Sequence, residues 1–141
     1  MRVIKFRAWN TVEKTMYYDV GLSPHTKNYH VFSEKGDAIV DMYGTMPALM
    51  QYIGFNDPVG KEIFEGDVVV GGLDDRDYVR SVVRIGASEI SVDTYENSFT
   101  MPYYGVYLEG SIGLEEDLMN KKQYVIGNIY ENPELLEVDN V

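Results

Sequence analysis

From residue 57 onward no apolar pattern runs long enough for anything but short strands. Five apolar-aromatic stretches, "EIFEGDVVVG" (62–71), "YVRSVVRIG" (78–86), "EISVDTY" (89–95), "MPYYGVYLEG" (101–110) and "YVIGNIY" (124–130), follow one another. They are separated by "GLDDRD", "AS", "ENSFT" and the longer acidic "SIGLEEDLMNKKQ". Val, Ile, Tyr and Phe fill pleated, half-buried surfaces, and long stripes at helical spacing never develop. Leu114 and Leu118, four apart and flanked by Glu and Lys, allow one or two helical turns. Five short strands and one long connection are expected to close a small barrel, since closure removes the sheet edges that otherwise aggregate.

The N-terminal part is also β in pattern. "RVIKFRAW" puts Ile4, Phe6 and Ala8 on one face and Lys5, Arg7 and Trp9 on the other. "NTVEKT" turns the chain and "MYYDV" returns it, a hairpin over residues 2–20. "GLSPHTKN" reads as a loop in which Pro24 offers no ladder donor. "YHVF" and "AIVDMY" read as strands about the turn "SEKGD". "PALMQYIGF" (47–55) mixes helix formers with Tyr, Ile and Phe, and is taken as extended. The expected organisation is an N-terminal β subdomain over 1–56, a barrel over 57–136 and a fraying acidic tail over 137–141.

Between these parts stands "QYIGFNDPVGKEIFEGDVVV" (51–70). Asn56, Asp57, Pro58 and Gly60 are turn chemistry: side-chain oxygens that bond local backbone, a fixed φ, and a residue tolerant of positive φ. Gly66 inside "EGD" marks a bulge or a close approach, and Asp67 can pin the bend before the valine run. The competing functional reading makes Asp57, Glu62, Glu65 and Asp67 an acidic rim, although their spacing does not ensure that they converge on one point.

Charge limits the partners. Residues 1–56 carry six Lys/Arg against five Asp/Glu, and 57–141 carry six against eighteen, so the net −11 belongs to the second part. Such a surface repels phosphate and suits solubility, a basic protein partner or mimicry of nucleic acid. It also allows self-association, with the first part of one copy facing the second part of another. With no Cys there is no disulfide, thiolate zinc site or cysteine nucleophile. No run approaches the about 18 apolar residues of a membrane span, and the N-terminus lacks a signal peptide's apolar core. The cytoplasm is the expected compartment.

Catalytic and metal motifs are weak. "GLDDRD" (72–77) lacks the D-x-D-x-D-G order of a calcium loop and reads as a hairpin tip. His25 and His30 have no third ligand at suitable spacing. There is no G-x-S-x-G elbow, P-loop or dinucleotide fingerprint. No cofactor, metal site or enzymatic activity is expected. Arg2, Lys5, Arg7 and Trp9 form the one basic-aromatic surface, able either to stack bases and neutralise phosphates or simply to decorate a core strand. Tyr103, Tyr104 and Tyr107 are either a recognition surface or ordinary barrel packing around Gly105.

"IKFRAWN" with "MYY", "LMQYIGFNDPVGKEIFEGDVVV" and "YVIGNIYENPELL" together resemble the YopX family of small proteins encoded by bacteriophages and prophages. The blocks lie at both ends and the centre, and the middle one is the most specific. Segments 20–46 and 96–122 carry no matching block. The resemblance implies a mainly β fold: an SH3-like barrel on the central and C-terminal segments, additional N-terminal β structure and at most short helices. It also implies a phage or prophage origin in a bacterial cytoplasm, and it supplies no catalytic residues. The leading expectation is a non-enzymatic protein-interaction module. The alternatives are a nucleic-acid-associated regulator using the Arg2–Trp9 face, or an acidic nucleic-acid mimic.

Overall fold

The computed structural model describes residues 4–24, 29–39, 47–71, 79–109 and 123–136. Arg2, His25, the "GLDDRD" segment, Leu114, Leu118 and the tail 137–141 lie outside them, as does most of "AIVDMY". The protein is mainly β. The chain divides into two compact units, Met1–Gly54 with Glu62–Phe64, and Phe55–Lys61 with Glu65–Val141. Glu62–Phe64 therefore falls to the first unit although it follows the turn at 56–61.

Six strands begin the chain: β1 (Phe6–Asn10), β2 (Thr15–Tyr17), β3 (Gly21–Pro24), β4 (Tyr29–Phe32), β5 (Ala48–Asn56) and β6 (Glu62–Phe64). Four make a sheet in the order β2-β1-β5-β6, and β3 pairs with β4. The β1–β2 hairpin turns on Asn10, whose side-chain oxygen accepts the backbone N–H groups of Val12 and Glu13 at 3.0 and 2.9 Å. Ala8 stands opposite Tyr17 on one side and Leu49 on the other. This face of β1 packs into a core of Ala8, Val20, Val31 and Ile39, with Phe6, Tyr17, Leu22 and Leu49 against it. The alternation read in "KFRAW" is thus realised, and "PALMQYIGF" is extended.

"GLSP", expected as loop, is instead strand β3, in register with β4 from Gly21 opposite Phe32 to Pro24 opposite Tyr29. Pro24 is the strand's last residue in a two-stranded ladder, where its missing N–H costs no bond.

The second unit holds β7 (Asp67–Gly71), β8 (Val79–Asp93), β9 (Ser98–Glu109) and β10 (Tyr124–Asn128), all antiparallel in the order β10-β7-β8-β9. This sheet curls into a half-barrel. Val68 and Val69 point to opposite faces and both are fully buried, so β7 is covered on both sides. Gly66, at φ 86°, donates its N–H to Val83 and accepts from Ile129, tying the start of β7 to its neighbours.

One expected link does not exist, and another is displaced by two residues. "AS" was expected to separate two strands and "ENSFT" to follow the second; the structure runs one strand, β8, straight through Ala87 and Ser88. The turn comes at Thr94–Asn97, closed by Thr94 N–H to Asn97 O at 2.7 Å, and Ser98, Phe99 and Thr100 already belong to β9. Ala-Ser lacks the positive-φ residue that a two-residue hairpin loop demands, and the cross-strand pairing continues through it.

At the C-terminus the chain folds back tightly on β10. Asn128 accepts the N–H groups of Tyr130 and Glu131, and a 3-10 turn follows over Pro133–Leu136. A Cβ at Gly127 would lie 2.6 Å from the Asn132 side-chain oxygen and 2.7 Å from a Leu135 methyl, so a side chain there would displace the two side chains packed against the strand.

Candidate functional site

Three places were legible in the sequence as candidates: the basic-aromatic face of β1, the acidic turn at 56–67 and the tyrosine-bearing strand near residue 104. The structure gives each a different fate.

On β1, Lys5, Arg7 and Trp9 share a face. Lys5 Nζ lies 2.6 Å from Glu62 Oε2 and 5.7 Å from the centre of the Tyr52 ring. That hydrogen bond, with the surrounding negative charge, holds the Lys5 ammonium above its ordinary value of 10.5 despite some desolvation. Arg7 is only 3% exposed, with its guanidinium 4.7 Å from the Phe64 ring centre, and Trp9 is 9% exposed. Phe64 is the hub: Tyr52 and Tyr18 also meet its ring, at 5.6 and 6.1 Å. Burial pushes the Tyr52 hydroxyl up from 10.0. This face spends its cations and rings on the first unit's own packing, with cation–π and ring–ring contacts in place of a ligand.

Asp57 is a structural pin. It is 3% exposed; its Oδ1 accepts the N–H groups of Val59 (3.0 Å) and Lys61 (2.8 Å), and its Oδ2 accepts that of Val125 (3.1 Å). One carboxylate thereby closes the turn and fastens it to β10. Asp67 is buried at the start of β7, and Glu62 is paired with Lys5. Among the described residues no three His, Asp or Glu side chains are grouped to hold a metal ion.

The third place differs. β7 pairs with β8 only from Val79 to Val82, whereas β9 stays paired with β8 to Asp93. Beyond residue 83, among the described residues, the β8–β9 hairpin is therefore a two-stranded ribbon extending past the rest of its sheet. At its base Val83, Val106 and Leu108 are buried. Gly86 and Gly105 then face each other across the ladder at φ 150° and 152°, a conformation that residues with side chains rarely adopt. Nothing lies within 4 Å of a Cβ placed on Gly86, so the backbone conformation, rather than crowding, calls for glycine there.

Past this glycine pair the apolar positions change face. Register sets position 90 opposite Met101 and position 92 opposite Phe99, and Phe99 and Met101 lie on the face opposite to that of Val106 and Leu108. Phe99 is 48% and Met101 43% exposed. On the other face lie Glu89, Ser98, Thr100 and Tyr104, the last 79% exposed. Tyr107 is half-buried at the ribbon base. The sequence did contain this signal: "SEISVD" and "SFTMPY" alternate polar and apolar residues in matching phase. Dividing the hairpin at "AS" and "ENSFT" hid it.

The model of the YopX protein family matches residues 5–137. The chain belongs to the YopX family. The crystal structure of protein EF1440 from Enterococcus faecalis is similar to it, with a TM-score of 0.50 and 25% sequence identity, over 97% of this chain and 100% of that one. No curated protein matches. No helix among the described residues is long and apolar enough to cross a membrane.

Proposed function

We propose that this YopX-family chain is a non-enzymatic protein-interaction module whose docking surface is the apolar face of the β8–β9 ribbon. The observation that carries the reading is the exposure of Phe99 and Met101 on one face of a strand pair that outruns its sheet. Exposed apolar residues scattered singly are ordinary, but an aligned set on a projecting element marks an interaction site. In this reading 57–136 is an SH3-like barrel, supported by the antiparallel β7–β8–β9 meander, the curl of its sheet and the short 3-10 turn after β10. Residues 1–56 are its β companion, and the family resemblance favours a phage or prophage protein acting in a bacterial cytoplasm.

Nucleic-acid binding through the Arg2–Trp9 face has less to draw on. Arg7 and Trp9 are buried, Lys5 is paired with Glu62, and Arg2 lies outside the described residues. The test is retention of bacterial lysate proteins by immobilised wild-type chain and by Phe99→Ser/Met101→Ser, each with and without nuclease. Proteins held by the wild type after nuclease and lost from the variant support the module. A retained set that ignores the two substitutions, or vanishes with nuclease, contradicts it.

A further inference from the structure

Resting on the reading of the ribbon as a docking surface, we infer that its partner is a cationic polypeptide with an apolar centre, which lies across the ribbon's face rather than adding to its edge.

The ribbon's charge sets the partner's sign. From Gly86 to Gly105 the sequence holds Glu89, Asp93 and Glu96 and no Lys or Arg. Glu89 and Glu96 are exposed, and none of the described ion pairs reaches them; the nearest, Arg84 Nε to Glu109 Oε2 at 2.7 Å, lies at the base. Glu89 lies on the face opposite to Phe99 and Met101, and Glu96 in the turn at the ribbon's end. Two strands are only about 5 Å apart. Lys or Arg side chains of a molecule seated on the apolar face can therefore reach over the rim to those carboxylates, with their own methylene stems covering apolar surface.

The same features disfavour other occupants. A second copy would bring the same anionic rim against itself, within a chain of net charge −11. Nucleic acid would find no cation between Gly86 and Gly105 to displace its counterions. Strand addition along β9, the outer strand of its sheet, meets Pro102, which has no N–H to give. An apolar face with an anionic rim and a proline-blunted edge leaves face docking by a basic polypeptide.

The experiment titrates the full chain with an eleven-residue peptide of alternating Lys and Val, using an alternating Glu and Val peptide as its opposite. The Lys peptide is expected to bind, to weaken about tenfold with Phe99→Ser/Met101→Ser and severalfold with Glu89→Lys/Glu96→Lys, and to weaken as salt rises. The Glu peptide is expected not to bind. All four substituted side chains are exposed, and matching urea midpoints establish that the variants are folded. Equal binding of both peptides, no binding of the Lys peptide, or indifference to the charge reversal overturns the partner's chemistry. A wild-type dimer that dissociates in Phe99→Ser/Met101→Ser assigns the face to a second copy and overturns it too. In each of these cases the module reading stands or falls separately, on the lysate proteins lost from the apolar-face variant.

Discussion

Two aromatic surfaces of this protein use similar residues to opposite ends. On the first unit's sheet, Lys5, Arg7, Tyr52 and Phe64 consume one another: each cation has a ring beneath it and Lys5 also has a carboxylate. On the β8–β9 ribbon, Phe99, Met101 and Tyr104 face water. The sequence makes the first look like a binding surface and the second like ordinary packing. What separates them is the number of strands alongside. Among the described residues β1 has neighbours on both sides, β2 and β5, whereas β9 has β8 alone. Aromatic content therefore says little about recognition until the covering elements are known.

If that contrast holds, damage to the first surface costs stability and damage to the second costs binding. The largest effect is expected from Phe64→Ala, which removes a buried ring from beneath Arg7, Tyr52 and Tyr18 and should lower stability by about 3–5 kcal/mol in urea unfolding. Asp57→Ala should follow at about 3 kcal/mol, because three backbone N–H groups lose one buried carboxylate. Gly86→Ala and Gly105→Ala meet backbone strain, and each should cost about 1–3 kcal/mol, with faster amide exchange in the ribbon. Phe99→Ser/Met101→Ser should move stability by no more than about 0.5 kcal/mol while abolishing retention of partners.

Alkaline pH sharpens the same comparison without mutation. Lys5 is raised by its bond to Glu62, Tyr17 by its bond to Glu13 and Tyr52 by burial. Above about pH 10 the unfolded chain loses these protons before the folded one does. The native state then binds more protons, so stability falls as pH rises through the folded values. All three groups belong to the first unit, and probes there should report the loss. Glu62→Gln should shrink the share that belongs to Lys5.

Much of the fold was legible. The alternation in "KFRAW", the turn residues of "NDPVGK" and the valine run each became the element that their chemistry specifies, because in each case local pattern and tertiary demand agree. "GLSP" escaped because the composition rule against proline in strands lapses at the end of a two-stranded ladder. The ribbon escaped because Gly86 was read as a terminator, whereas opposite Gly105 it lets one long strand change course. The Asp57 pin was visible as a turn, but its reach to Val125 was not, since the two are 68 residues apart.

The absence of native cysteine permits a direct test. Met50, opposite Arg7 on β5, is buried, and Met101, opposite Ile90, is exposed; Met→Cys at each places the same thiol on the two contrasted surfaces. The measurement is the rate of reaction with a disulfide reagent under native conditions, alone and with the Lys–Val peptide. Met101→Cys should react nearly as fast as a free thiol and be protected by the peptide, while Met50→Cys should stay slow throughout. A Met101→Cys thiol that is slow in the absence of partner, or fast in the presence of saturating peptide, would contradict the assignment of the ribbon face as the docking surface.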